Sequence, residues 1–379
     1  MAYFANRDVN RIYIHAALQA FATYGGESFA FVYLLKAGIP APVVLLAIAA
    51  MFGSRMLFRT LVLPLVRRVG LRRALVLAIL AEAATYPILS QITGTGPLLV
   101  VYLGLWAFSS SFYWTTYHSY VALLGDNHAR GAQTSAVELI GMVMGIAAPA
   151  VTGLLLTAFS PIIAFGTVAI AMAMSTLPVL AGPDPTIEDH AEMPRATRRA
   201  ARVILFADGL RSGSFHFTWL IALFLTLGSS FAAYGGAMAL TGLAGALGAL
   251  VLGRAIDLGS GFGAVRIGFA ALTVAAVARV IGWPVPALAI GANVAVALAW
   301  PLYATAFNSR VYTLARQSPC PLRFHIVAEG GWDMGTCLSC LAAAALLWAG
   351  FDYSIPLSIG VLACVLGYLT IARTFAPAR

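Results

Sequence analysis

Residues 182–199 read GPDPTIEDHAEMPRATRR. Asp184, Glu188, Asp189, Glu192, Arg195, Arg198 and Arg199 crowd this stretch, near the middle of a 379-residue chain that is 61% hydrophobic and only 10% charged. A soluble domain carries about 25% charged residues. The rest of this chain therefore lacks the polar surface that water demands, and a mean hydropathy of +0.88 points to lipid as the solvent. Outward from the polar stretch, apolar runs fall on both sides. Before it they lie near 12–36, 41–66, 71–92, 97–124, 130–157 and 160–181; after it, near 201–227, 229–256, 264–282, 285–314, 324–349 and 353–374. Roughly 20 apolar residues cross a bilayer as a helix. The sequence thus predicts an all-α integral membrane protein with twelve transmembrane helices. They form two pseudo-symmetric six-helix bundles, 1–181 and 201–379, joined by a cytoplasmic linker at 182–200.

The net charge of +9 raises the question of nucleic acid, and the placement of the charge answers it. With the N-terminus inside, 18 of the 23 basic residues fall in cytoplasmic segments and Lys36 alone falls on the other side. Arg55, Arg59, Arg211 and Arg279 remain within spans. Such a bias follows from the cost of translocating Arg and Lys. It puts both termini in the cytoplasm and indicates an inner-membrane protein of bacterial type with no nucleic-acid partner. The opening MAYFANRDVNR is polar, with the first apolar run starting near Ile12, so the first span is expected to stay rather than be cleaved. Cys320, Cys337, Cys340 and Cys364 lack zinc-ribbon spacing. The sequence contains no H-E-x-x-H, G-x-S-x-G or Walker-type phosphate loop, which argues against an enzyme or a nucleotide-driven pump. No cofactor is expected, and energy must come from an ion gradient.

The two halves share a rhythm: the first span of each ends in a Gly turn, LLKAGIPAP and FLTLGSSFA. Twin halves are common in secondary transporters, with the binding site at mid-membrane. Between spans 2 and 3 stands LPLVRRVGLRRAL, residues 63–75. This resembles the G-x-L-x-D-R-x-G-R-R motif of the major facilitator superfamily, with Leu65, Arg68, Gly70, Arg72 and Arg73 matching while Leu63 and Arg67 replace the Gly and the Asp. GRAIDLGSG between spans 8 and 9 keeps Gly253 and Asp257 instead. Span 5 carries GMVMGIAAPAVTG, whose Gly141, Gly145, Pro149 and Gly153 echo the family's antiporter motif. The resemblance implies alternating access about a cavity lined by spans 1, 4, 7 and 10. Arg68, Gly70, Arg72, Arg73, Gly253 and Asp257 would form its inner gate. The implied partners are a small-molecule substrate, protons and the lipid bilayer, and the protein is expected to act as a monomer.

Ionisable groups inside a membrane are costly and usually face a cavity or a partner. Span 1 places His15, Gln19, Thr23 and Glu27 four apart, with Gly25 and Gly26 beside the acid. Glu27 is the first choice as proton carrier and substrate ligand; Asp208, Glu138 and Asp333 follow. Span 4 reads WAFSSSFYWTTYHSY (106–120), and its Tyr113, Trp114, Tyr117 and His118 make an aromatic wall suited to a flat organic ligand. Span 7 sets Asp208 and Arg211 three apart, able to pair, with His216 and Trp219 beyond. On span 2, Arg55 needs a carboxylate, Glu27 or Glu138, while Arg59 is expected to reach the inner surface by its long stem. Glu82 and Arg279 sit on supporting spans and read as structural.

HIVAEGGWDMGTCLSC (325–340) sets His325, Glu329, Asp333 and Cys337 on one stripe of span 11, with Met334 and Cys340 nearby. Such residue types bind soft or borderline metals, but ligands must converge, and this stripe extends roughly 18 Å along the helix. No metal site is assigned; the stretch reads as a cytoplasmic gate helix with Trp332 and Asp333 in its path. The substrate-binding set is therefore Gln19, Glu27, Arg55, Tyr113, Trp114, Tyr117, His118, Arg211, His216, Trp219 and Trp332. The expected function is proton-coupled secondary transport of a small organic solute, with export favoured. Import of a nutrient, or of a transition metal such as copper, is the alternative.

Overall fold

The computed structural model describes residues 7–124, 130–186, 193–256, 262–316, 318 and 320–375. Among these residues the chain is helical with no strand, and its helices follow one another as twelve segments. Span 1 runs Arg7–Ala22, passes through a π-helical turn at Thr23–Glu27, and continues as Ser28–Lys36. Span 2 is Ala41–Arg59 followed by Val62–Val69, span 3 is Leu71–Leu89, and span 4 is Pro97–Leu124. Span 5 is Arg130–Ala158, and span 6 is Pro161–Met174 with Thr176–Leu180. Span 7 is Arg195–Ser212, a second π-helical turn at Gly213–Thr218, and Trp219–Thr226. Spans 8 to 12 are Phe231–Ile256, Phe262–Gly282, Pro286–Arg316, Pro321–Trp348 and Ser354–Thr374.

Helices suit lipid because each satisfies its own backbone polar groups. Nine of those described are long and apolar enough to cross a membrane as they stand. Spans 1 and 7 are divided by their π turns, and span 3 carries Arg72, Arg73 and Glu82. Proline opens spans 4, 6, 10 and 11, where its missing N–H costs nothing.

Spans 1 and 7 share local detail. Spans 1 and 7 alone among the described helices contain a π turn, about midway along each. Both also end in the same hydrogen-bond pattern. Ile39 N–H donates to Leu34 O and Gly38 N–H to Leu35 O; Ser229 N–H donates to Phe224 O and Gly228 N–H to Leu225 O. In each, a glycine with positive φ, Gly38 at 85° and Gly228 at 70°, turns the chain out of the helix.

The chain packs as two compact units. One comprises Met1–Ile39, Ser54–His190 and Phe231–Ala239; the other comprises Pro40–Gly53, Ala191–Ser230 and Leu240–Arg379. Two short pieces thus pack with the unit opposite to their place in the chain. Span 8 enters the first unit because Tyr234 donates to Ser28 O and its ring meets Phe29 edge-on at 5.2 Å. Span 2 enters the second because Phe52 packs on Phe217 and Trp332. Within the second unit, spans 7 and 11 approach backbone to backbone. A methyl group on Gly209, Gly331 or Gly335 would overlap the main chain of the facing helix. Small residues at four-residue spacing are the usual means of close helix contact in lipid. This explains the glycines of the 325–340 stretch.

Candidate functional site

In the first unit the π turn of span 1 sets the geometry. A π turn adds a residue to the helical circuit and is often found at functional sites. Here it presses Gly26 against Tyr86 and Val168, and Gly25 against Thr152. Glu27, the last residue of the turn, is partly exposed and neighbours the carboxyl group of Glu82, with Arg55 beside both, where Gly26 abuts Tyr86 one turn along span 3 from Glu82. Glu82 is 1% exposed, and its Oε1 has no other hydrogen-bond partner. Arg55 is also buried; it donates to Ser110 Oγ at 2.9 Å and lies over the Trp106 ring. Of its two expected partners, Glu27 is the one found beside it; the side chain of Glu138 lies outside the described residues. Arg59 does not reach the surface. It is buried and donates to Thr115 Oγ1 at 3.0 Å, because span 4 offers a hydroxyl one helical turn from Ser111.

The remaining first-unit residues form a wall along spans 1 and 4. Gln19 donates to Thr23 Oγ1 at 2.8 Å. His15 is buried between Ser175 O at 2.9 Å and the Tyr113 hydroxyl at 3.0 Å. Tyr113 and Tyr117 stack with centroids 5.4 Å apart, and Trp114 stacks on His118 at 5.6 Å. Tyr113 is fully buried, while Trp114, Tyr117 and His118 keep exposed edges.

In the second unit Asp208 is the centre. Its Oδ1 accepts from Arg211 Nε at 2.8 Å and Nη2 at 2.8 Å, and from the Tyr303 hydroxyl. Its Oδ2 accepts from Trp332 Nε1 at 3.1 Å. Arg211 in turn lies 5.0 Å from the ring centroids of both Trp300 and Tyr303. The close crossing of spans 7 and 11 is what lets the Trp332 indole reach Asp208. The pairing of Asp208 with Arg211 follows from their three-residue spacing. Trp219 contributes no surface to a ligand: it is 0% exposed, donates to Asn293 Oδ1 at 2.7 Å, and lies under Arg279. Arg279 also donates to Phe215 O and Asn293 Oδ1, so both residues belong to a structural knot. His216 is exposed on the second π turn.

Span 11 places His325 and Glu329 partly exposed, Asp333 fully buried and Cys337 one turn beyond. Among the described residues no three of His, Cys, Asp and Glu converge as a metal site would need.

At the loop between spans 2 and 3, Arg68 and Arg73 are exposed. Arg72 finds its acid in the linker. Asp184 Oδ1 accepts from the Arg72 backbone N–H at 3.0 Å, and Arg72 Nη1 donates to Gly182 O at 2.7 Å. Asp184 thus caps the start of span 3, where a carboxylate is favoured by the helix dipole. The lack of a side chain on Gly70 leaves room for it, since a Cβ there would sit 3.0 Å from Asp184 Oδ2. Tyr120 holds the same segment by donating to Pro183 O. Gly253 lies within span 8, and Asp257 lies outside the described residues.

Glu82, Tyr303, Trp300 and Asp184 are the residues that sequence reasoning passed over as site members. Glu82 had a signal, since an acid inside an apolar span bears the same cost as Glu27. Tyr303 and Trp300 had none, because their relevance depends on which face of span 10 meets span 7.

No family model and no curated protein matches the sequence. Solved structures do match over almost the full length. A POT family transporter in complex with 5-aminolevulinic acid superposes with a TM-score of 0.73 at 12% identity, over 97% of this chain and 96% of that one. The POT family transporter PepTSo gives 0.70 at 14%, covering 97% and 98%. The nucleoside transporter NupG gives 0.70 at 14%, covering 98% and 100%. At such identities the shared property is the fold, and the chain has the all-helical fold of the major facilitator transporters that its motifs resemble.

Proposed function

We propose that this protein is a proton-coupled secondary transporter of a small polar organic solute, working by alternating access of the chain-order halves 1–181 and 201–379. The observation that carries the reading is Glu27, a partly exposed acid on an interrupted helix, beside a buried arginine. An acid in that setting can exchange a proton with water while remaining tied to a counter-charge. The structural neighbours include a peptide transporter, a POT family transporter in complex with 5-aminolevulinic acid, and a nucleoside transporter. That range supports a small polar solute.

Export is the direction we assign. Its support is span 5, where Gly153 and Pro149 of the antiporter-like motif cross span 8 closely: a methyl on Gly153 would meet Phe231 O at 2.8 Å, and one on Gly235 of span 8 would meet Pro149 O at 2.6 Å. A thermal-shift screen across peptides, nucleosides, 5-aminolevulinic acid, organic acids and dyes identifies a solute, because a ligand that binds only the native state raises its stability. Proteoliposomes loaded with that solute then test the coupling. An imposed pH gradient should drive its movement against the proton flux in wild type, and Glu27→Gln should abolish the dependence on the gradient. Movement in the same direction as the protons would replace export with import. Accumulation that survives collapse of the gradient by a protonophore would remove proton coupling altogether.

A further inference from the structure

Glu82 does not behave like a structural acid. A structural carboxylate in an apolar span is held by donors, as Asp208 is. Glu82 is instead 1% exposed, with Oε1 bare of any donor, and its contact is a second carboxyl group. Two carboxyl groups can hydrogen-bond to each other only through a proton. With one proton between them Glu27 and Glu82 carry a single negative charge, which the Arg55 guanidinium balances. Among the described residues the titratable groups facing this pair are Arg55 from span 2, Tyr86 from span 3, and Tyr102 and Tyr113 from span 4. Among the described residues Arg55 is the one basic group facing the pair, and the phenols supply no counter-charge.

We propose that the proton-carrying unit is the Glu27–Glu82 pair rather than Glu27 alone. Glu27, the partly exposed member, exchanges the proton with water. Glu82, sealed from water, positions that proton by sharing it through the carboxyl–carboxyl hydrogen bond. On release, the O–H bond within the pair breaks, the proton passes to water, and both carboxylates face the single guanidinium. On uptake the bond re-forms, the pair returns to a single negative charge, and the pair with Arg55 is neutral again. Interacting carboxyls of this kind titrate as one system and not as two residues. The inference rests on the transport reading above, but it is testable without it.

The test is infrared spectroscopy of purified wild-type protein and of Glu27→Gln and Glu82→Gln, following the carbonyl stretch of a protonated carboxyl group through a pH titration. A shared proton predicts a wild-type signal that disappears in both single variants, because either remaining acid pairs with Arg55 as a carboxylate. A signal that survives in Glu27→Gln would show an independent protonated Glu82 and overturn the proposal. In proteoliposomes, Glu82→Gln should lose gradient-driven accumulation as Glu27→Gln does, and Glu82→Asp should restore coupling with a displaced pH profile. Full coupling in Glu82→Gln would return Glu82 to a structural role. Should Glu82→Gln fail to fold, Glu27→Gln carries the infrared arm and Glu82→Asp the transport arm. If the wild type shows no proton-driven transport while the infrared result holds, the transport reading fails and the proton pair stands.

Discussion

In the first unit Arg55 has two carboxyl groups beside it, Glu27 and Glu82, whereas in the second Asp208 has one guanidinium, one phenol and one indole all directed at it. The first cluster has more acid than base and leaves one carboxyl oxygen without a donor. The second occupies both oxygens of its only acid. Its three donors come from spans 7, 10 and 11, so this acid ties three helices together. A carboxyl pair that already shares a proton loses and regains it with little rearrangement. The two units therefore place ionisable residues on matching spans, 1 and 7, but suit them to different tasks. We assign proton exchange to the first unit. Asp208, a candidate proton carrier by sequence, is better suited to hold spans 7, 10 and 11 together.

This contrast can be broken most readily by removing each arginine. Arg211→Leu should cost about 3–5 kcal/mol of stability, the usual penalty for leaving a buried charge without its partner. Arg55→Leu should cost less, about 1–3 kcal/mol, because the carboxyl pair can take up a second proton and neutralise itself. Denaturant unfolding in mixed micelles measures both. Equal losses would mean that the first cluster is held as rigidly as the second.

A finer probe is Tyr303→Phe, which removes one donor to Asp208 and leaves the ring. A hydrogen bond to a charged group is worth about 1.5–3 kcal/mol, so a loss in that range is expected. No loss would place the weight of the cluster on Arg211 and Trp332 alone. The smallest effect concerns the end of the first unit where span 2 joins span 3. Asp184→Ala removes the acid that caps span 3, and a helix cap is worth about 0.5–2 kcal/mol. The variant should unfold slightly earlier and label faster at a cysteine placed in the linker. An unchanged labelling rate would show that Gly182 and Pro183, held by Arg72 and Tyr120, anchor the segment without the carboxylate.

Much of this arrangement was legible in the residues. The spacing of apolar runs points to twelve helices, because bilayer thickness acts on local composition. The Asp208–Arg211 pair was equally legible, since residues three apart on a helix share a face. Glu27 stood out as an acid in an apolar run. Arg59 was misread: its stem is long enough to reach the surface, but Thr115 on span 4 supplies a buried acceptor that no local pattern announces.

The sequence by itself determined the solvent, the number and order of helices, and which ionisable groups lie within lipid. Each of these depends on the chemistry of a stretch no longer than one span. Only the tertiary structure decided who meets whom. Glu82 meets Glu27 because spans 1 and 3 cross at the π turn, Trp332 meets Asp208 because four-spaced glycines let spans 7 and 11 touch, and Asp184 meets Arg72 although 112 residues separate them. Helix periodicity gives the face a residue occupies, but the partner across that face belongs to another helix, and no spacing within either one encodes it.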